Sequence, residues 1–293
     1  MKIDRTAGEK IFSVFNYLLM IVLMLITLYP FYYVVMASLS DPVKIVAHSG
    51  LIGFPIGFSL SAYESVFKYK ALMYGYMNTI IYVVFGTFLN LVFTSLGAYV
   101  LSRQRFKLKK AFTVFMMFTM FFSGGIIPLF LLVKSMGILN TRLAIVLPGL
   151  ISTFNLIVMR TNFASIPYSL EESAKIDGAN DFVVLFKIIL PLSKAVISVM
   201  ILYYGVNHWN SWFNAMIFLD RRALYPLQLI LREILIASST DNLMTNTSGA
   251  DKMAVGATIK YATIIIATVP ILMIYPFLQK YFVKGMMIGA VKE

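Results

Sequence analysis

Tyr203, Asn207, Asn210, Ser211 and Asn214 fall at i, i+4, i+7, i+8 and i+11 within the otherwise apolar stretch 193–219. On one continuous helix that spacing stacks them on one side, with Trp209, Trp212 and Phe213 pointing elsewhere. Uncharged amides and hydroxyls near aromatic rings suit a sugar, whose hydroxyls donate and accept hydrogen bonds and whose C–H faces stack on rings. The plainer use of such groups is to bond one membrane helix to the next. Asn78 with Tyr82 and Asn90 with Thr94 are i, i+4 pairs open to both uses, as are Ser152 and Asn155.

No catalytic or metal-binding constellation accompanies them. The chain has no cysteine, which removes disulfides, thiol catalysis and thiolate metal sites. His48 and His208 lie far apart, and neither has a ligand-type residue at i+3 or i+4. A serine or histidine nucleophile needs an oriented base, and His208 has no carboxylate near it in sequence. There is no GxxxxGK[ST], so the chain does not bind ATP through a P-loop.

A second cluster, 169-SLEESAKIDGANDFVVLFKIILPL-192, is charged and punctuated by glycine. Ser169 and Glu172 have capping-box spacing with Pro167 upstream, which predicts a helix from Leu170. Gly178 after Asp177 stands where a helix C-cap needs φ > 0, and Asn180 or Asp181 opens a second helix. On that helix Phe182, Leu185, Phe186 and Ile189 share a face. The first helix offers small residues, Ser173 and Ala174, rimmed by Glu171, Glu172 and Lys175. Such a pair either inserts into a groove on a partner or lies on lipid headgroups.

These clusters sit in a chain too apolar for a soluble core. Of 293 residues, 59% are hydrophobic and 13% charged, with mean hydropathy +0.82, which predicts an integral membrane protein. Six stretches are long and apolar enough to span, at 11–38, 74–101, 111–133, 143–161, 193–219 and 256–279. Pro148 disturbs the fourth, and Ser123-Gly124-Gly125 with Pro128 weakens or kinks the third. The first follows a basic flank, is too long for a signal peptide and lacks a small-residue cleavage site, so it reads as a retained membrane helix.

The net charge of +12 comes from short clusters between apolar runs rather than from one basic face, which argues against nucleic acid. Arg103, Arg105, Lys107, Lys109 and Lys110 pin the loop after the second span to the inner side, and this puts both termini and the 162–192 loop inside. The outer segments 39–73 and 220–255 mix apolar residues with charges and turn formers, as short interfacial helices do. Asp41, Glu64, Asp220, Arg221 and Arg222 are their candidate docking charges. The resulting division is an inner N-terminus at 1–10, a first span with its outer loop at 11–73, a core at 74–279 and an inner tail at 280–293.

The spacing Glu172-Ser173-Ala174, Gly178, Ile188, Leu190-Pro191 resembles the EAA-x3-G-x9-I-x-LP motif of permease subunits in binding-protein-dependent ABC importers. It departs from that motif only at Ser173, where the family has Ala. Ile166-Pro167, IDGA, HWNSWFNA and the tail QKYFVKGMMIGAVK resemble more narrowly the MalG-like permeases of carbohydrate importers. Within these, the chain is similar to the polysaccharide and oligosaccharide group (LplC/YtcP-like), which includes the smaller permease of the alginate importer.

The resemblance implies an all-α, six-span, type I importer permease with the MetI-like fold, whose 162–192 loop carries coupling helices between spans four and five. It implies docking to an ATPase through Glu171, Glu172, Ser173, Ala174, Asp177 and Gly178. Tyr203, Asn207, Asn210, Ser211 and Asn214, with Asn155 and Asn90, would then line the substrate path. The implied partners are a second permease, two copies of the ATPase, which would hold ATP and magnesium, and an extracytoplasmic solute-binding protein. The implied setting is a bacterial inner membrane, with an oligosaccharide or polysaccharide, alginate-like glycans among them, as substrate and no enzyme activity in this chain. The competing reading is a secondary transporter or channel, but those commonly carry intramembrane acids or bases, of which the six stretches contain essentially none.

Overall fold

The computed structural model describes residues 7–244, 259–274 and 276. Among the described residues every regular element is a helix. The chain divides into two compact units, Met1–Tyr69 with Glu233–Thr268 and Lys70–Arg232 with Val269–Glu293.

The first unit is led by α1, Ala7–Ser38, which is apolar around its whole circumference and exposed along most of its length. An all-round apolar helix needs lipid or another apolar surface. Its last turns pack instead: Ala37, Ile45 and Ile52 form a small core with Tyr33 and Tyr261 against it. The outer segment folds as expected into short helices, α2 (Pro42–Ala47) and α3 (Ser61–Lys68). Asp41 is the N-cap of α2, accepting from the Val43 and Lys44 N–H groups, and Pro42 supplies the preset φ of a first helical residue. An antiparallel bridge, Ser40 with Phe58, joins the segment before α2 to the segment before α3.

The second unit holds both clusters. Its axis is α4, Lys70–Ser102, interrupted only by a π-turn at Tyr82–Gly86. Next come α5 (Lys109–Phe121) and α6 (Ile126–Ser135), which meet at 116°. The sequence places the kink here, and Gly125, at φ +85°, makes it a sharp corner. Helices α7 (Leu143–Gly149) and α8 (Thr153–Ala164) meet at 54° just beyond Pro148, with Ser152 capping α8.

The charged pair of the 162–192 loop is α9 (Tyr168–Ile176) and α10 (Asp181–Leu192), and α10 turns through 87° at Ser193 into α11 (Lys194–Trp209). The main core joins α4, α8, α10 and α11 through Tyr99, Met159, Phe163, Leu185, Ile189, Met200 and Tyr204.

The expectation of one helix across 193–219 is corrected. Helix α11 ends at Trp209, and α12 (Phe213–Phe218) starts after a break at Asn210–Trp212. Asn210 and Ser211, adjacent at the break, are residue types whose side chains can offer the backbone alternatives to helical bonds. The outer segment that follows contains α13 (Leu227–Met244), longer than the short helices expected. The sixth stretch holds α14 (Ile259–Ile274), and its last residues and the 280–293 tail lie outside the described residues.

Candidate functional site

The 162–192 loop lacks the expected capping box. Helix α9 starts two residues early, at Tyr168, with Pro167 at the N-cap and no side-chain cap. The Ser169 carbonyl accepts from the Ser173 hydroxyl, so Ser169 already lies inside the first turn. The glycine and second-cap signals hold, but Phe182, Leu185, Phe186 and Ile189 do not share one face, since Leu185 and Ile189 are buried and both phenylalanines exposed. Gly178 adopts φ +84°, and the Gly178 and Ala179 N–H groups bond to the Lys175 and Ala174 carbonyls. Asn180 caps α10 through its bond from the Val183 N–H.

A π-turn at Leu185–Ile189 precedes Leu190-Pro191, with the Leu190 N–H reaching the Leu185 carbonyl five residues back. Pro191 has no N–H to donate and crowds the carbonyl four residues before it, and a widened turn relieves that clash.

The six docking candidates do not share one face. Glu172, Ser173, Asp177 and Gly178 are exposed, whereas Glu171 is 1% exposed and Ala174 packs against the core. Spacing explains the split: 171, 174 and 175 are one side of a helix, and 169, 172, 173 and 176 are the other. Ile176, at 86% exposure, is the most prominent apolar residue on the outward side.

Glu171 is the hub of the inward side. It accepts from the Arg103 guanidinium at 3.0 Å and from the Lys175 ammonium, and the Tyr99 hydroxyl lies 3.4 Å away. Arg103, itself buried at the end of α4, also donates to the Phe163 carbonyl at the end of α8 (2.8 Å) and lies over the Tyr99 ring. Lys175 makes a second ion pair with Asp181, at 3.0 Å. Burial pulls the Lys175 ammonium down, but hydrogen bonds and charge from Glu171 and Asp181 outweigh this and hold it above the usual lysine value. The hydrogen bond from Lys175 holds the Asp181 carboxyl below the usual carboxylate range. Only the bare charges were visible in the sequence, because Arg103 is 68 positions from Glu171.

The polar stripe resolves into a cavity and its supports. Asn207, His208, Asn210, Ser211 and Asn214 line a space of about 210 Å³ together with Trp212, Phe213, Ile145 and Gly149. The break after Trp209 brings this about by swinging Trp212 and Phe213 toward the amides they were expected to point away from. Arg232, which the sequence did not single out, lies over the Trp212 ring with its Cζ 4.6 Å from the centroid.

Tyr203 is one turn further in, packed on Phe154 and outside this lining. Asn155 is buried beside its Ser152 cap. Asn90 is fully buried behind the wall: its amide donates to the Gly149 and Leu150 carbonyls and its oxygen pairs with His208 Nε2 at 2.7 Å. Asn78 likewise donates to the Ala223 and Tyr225 carbonyls, Tyr82 to Leu224, and Thr94 pairs with Tyr204. Among the outer charges, Asp220 is tied to Asn140.

Bent apolar helices, a charged helix pair and a polar cavity among helix breaks fit a membrane transport subunit. The chain belongs to the family described as binding-protein-dependent transport system inner membrane components, whose profile matches residues 53–288. It is thus the permease component of an ABC importer, and the reading as a lone secondary transporter or channel falls.

Among its relatives, the polygalacturonan/rhamnogalacturonan transport system permease protein YtcP of Bacillus subtilis (strain 168) is 39% identical over 97% of this chain and 99% of its own. Protein LplC of the same organism is 41% identical over 98% and 97%. A solved chain from a bacterial ABC transporter that imports the acidic polysaccharide alginate superposes with a TM-score of 0.86 at 32% identity, over 96% of this chain and 100% of that one.

Proposed function

We propose that this permease forms half of a membrane pathway for oligosaccharides derived from polysaccharides, and that α9 is its docking element for a cytoplasmic ATPase. The observation that carries the reading is the two-sidedness of α9. One side is fixed to this chain by Glu171, while Glu172, Ser173, Ile176 and Asp177 stand free on the other. A short helix held rigidly on one side and presenting an acidic, small and apolar surface on the other suits a groove with basic and apolar walls. Gly178 supports the turn that keeps α10 clear of that surface.

In this reading the chain spans the membrane six times with both termini inside. The N-terminus at 1–10, first span and outer loop at 11–73, core at 74–279 and tail at 280–293 are its working divisions. A second permease completes the pathway, two ATPase copies hold ATP and magnesium, and a solute-binding protein delivers substrate to the outer face. The sugar class follows from what the relatives are named for, polygalacturonan, rhamnogalacturonan and alginate, and from the amide and aromatic lining of the cavity. At about 210 Å³ the cavity is below the roughly 300–1,000 Å³ of ordinary ligand pockets, which suits one wall of a site shared with another subunit. Asn207, Asn210, Ser211 and Asn214 contact the sugar, Tyr203 lines the path further in, and Asn90 and Asn155 hold the wall.

Uptake by the reconstituted complex tests both halves. Asn210→Ala with Asn214→Ala lowers the uptake rate about tenfold or changes which oligosaccharide is preferred, as loss of hydrogen bonds to the sugar would. Unchanged rate and preference would return these amides to a helix-packing role.

A further inference from the structure

Helix α4 runs between the two sites. At its inner end Arg103 grips Glu171 of α9 and the Phe163 carbonyl of α8. Along its regular portion, Thr87–Ser102, Asn90 grips the two cavity walls at once: the Gly149 and Leu150 carbonyls at the α7–α8 corner, and His208 at the end of α11. The two grips are 13 residues apart, about 20 Å along a helix axis.

The bonds at each end are specific. Glu171 and Arg103 are both buried, so separating them strands a charge, and the guanidinium fork fixes direction as well as distance. The Asn90 oxygen can only accept, so His208 Nε2 carries the proton. Gly86 lies against the same ring, where a Cβ would come within 2.5 Å of His208 Nε2.

We propose that α4 is the rod that transmits movement of α9 to the cavity, with Arg103–Glu171 as its inner joint and Asn90–His208 as its outer joint. Arg103, Glu171 and Asn90 are therefore positioning residues: they touch neither the ATPase nor the substrate. Lys175, Asp181 and Tyr99 surround the inner joint and share its charge. The proposal rests on α9 being the docking element, and it concerns what happens behind that surface.

The test uses the whole complex of both permeases, ATPase and binding protein in lipid nanodiscs. A single cysteine at Ser211, in a chain that has none, reports exposure of the cavity through its labelling rate with and without trapped ATP. Glu171→Gln keeps the side chain's shape and removes its charge. The expected result is that the ATPase still co-purifies and hydrolyses ATP, while the ATP-dependent change in labelling and the uptake per ATP both fall about tenfold.

Should Glu171→Gln fail to accumulate, Arg103→Lys, which keeps the charge but loses the fork, is read the same way and gives a partial loss. Full ATP-dependent labelling change and uptake in the variant would overturn the rod. Loss of the ATPase from the purified complex would also overturn it, making Glu171 a docking residue. Disulfide trapping from Ser173→Cys to the ATPase tests the docking reading separately in the parent chain.

Discussion

Gly178 and Asp181 bracket the turn between the docking helices, and each has a measurable signature. A Cβ on Gly178 meets nothing within 4 Å, so only its φ of +84° restricts it. Gly178→Val then strains the turn by roughly 1–2 kcal/mol, whereas Gly178→Asn, which tolerates that region, costs less. The expected outcome is an inserted, assembled complex in which Val uncouples ATP hydrolysis from uptake and Asn restores most of it. Equal uptake by both would remove the turn from the mechanism.

The Lys175–Asp181 pair sets a pH window. The depressed Asp181 pKa gives stability that is present above its ordinary value of 3.8 and lost as pH falls through the lower folded value. The raised Lys175 pKa gives stability that is present below 10.5 and lost as pH rises through the higher folded value. Protection of the α9–α10 amides against hydrogen exchange, corrected for intrinsic rate, should thus be flat from about pH 5 to 9. The Asp181 side chain is 61% exposed, so Asp181→Asn makes only a small change. At this scale Gly178, Asn180 and the exposed Glu172 were legible in the sequence, because turn and cap chemistry is local. Glu171 was not, since its role depends on Arg103 arriving from another helix.

Among the elements, breaks matter as much as spans. The π-turn at Tyr82–Gly86, the corner at Gly149–Thr153 and the break at Asn210–Trp212 meet around His208 and the cavity. Gly86→Ala would drive a methyl into the His208 ring. It should lower thermal stability of the purified complex by about 1–3 kcal/mol, the usual penalty of overpacking, and should also alter cavity labelling. Gly205→Ala, with its nearest neighbour at 3.9 Å, is the matched control expected to be near neutral. Hydropathy placed helices in each of these stretches but extended the fifth through its break. A 3.6-residue period assumes unbroken backbone bonds, and the helix stops where Asn210 and Ser211, residue types that favour non-helical backbone, follow Trp209. That one error put Trp212 and Phe213 on the wrong side.

For the molecule as a whole, the exposed apolar surface is the main signal. Helix α1 is exposed for most of its length, and α5 buries no residue within this chain. Lipid or other subunits must cover so much apolar surface.

The amino-acid order by itself determined the membrane class, the apolar helical stretches, the glycine-broken helix pair and the family, because hydropathy, cap chemistry and motif spacing are local properties of the chain. Only the tertiary structure decided which side of α9 is held and which is free, and which amides line the cavity and which brace it. Those are contests between partners far apart in sequence: Arg103 with Glu171, and Asn90 with Gly149, Leu150 and His208. A buried polar group takes the partner that packing brings to it, and no local pattern records that choice.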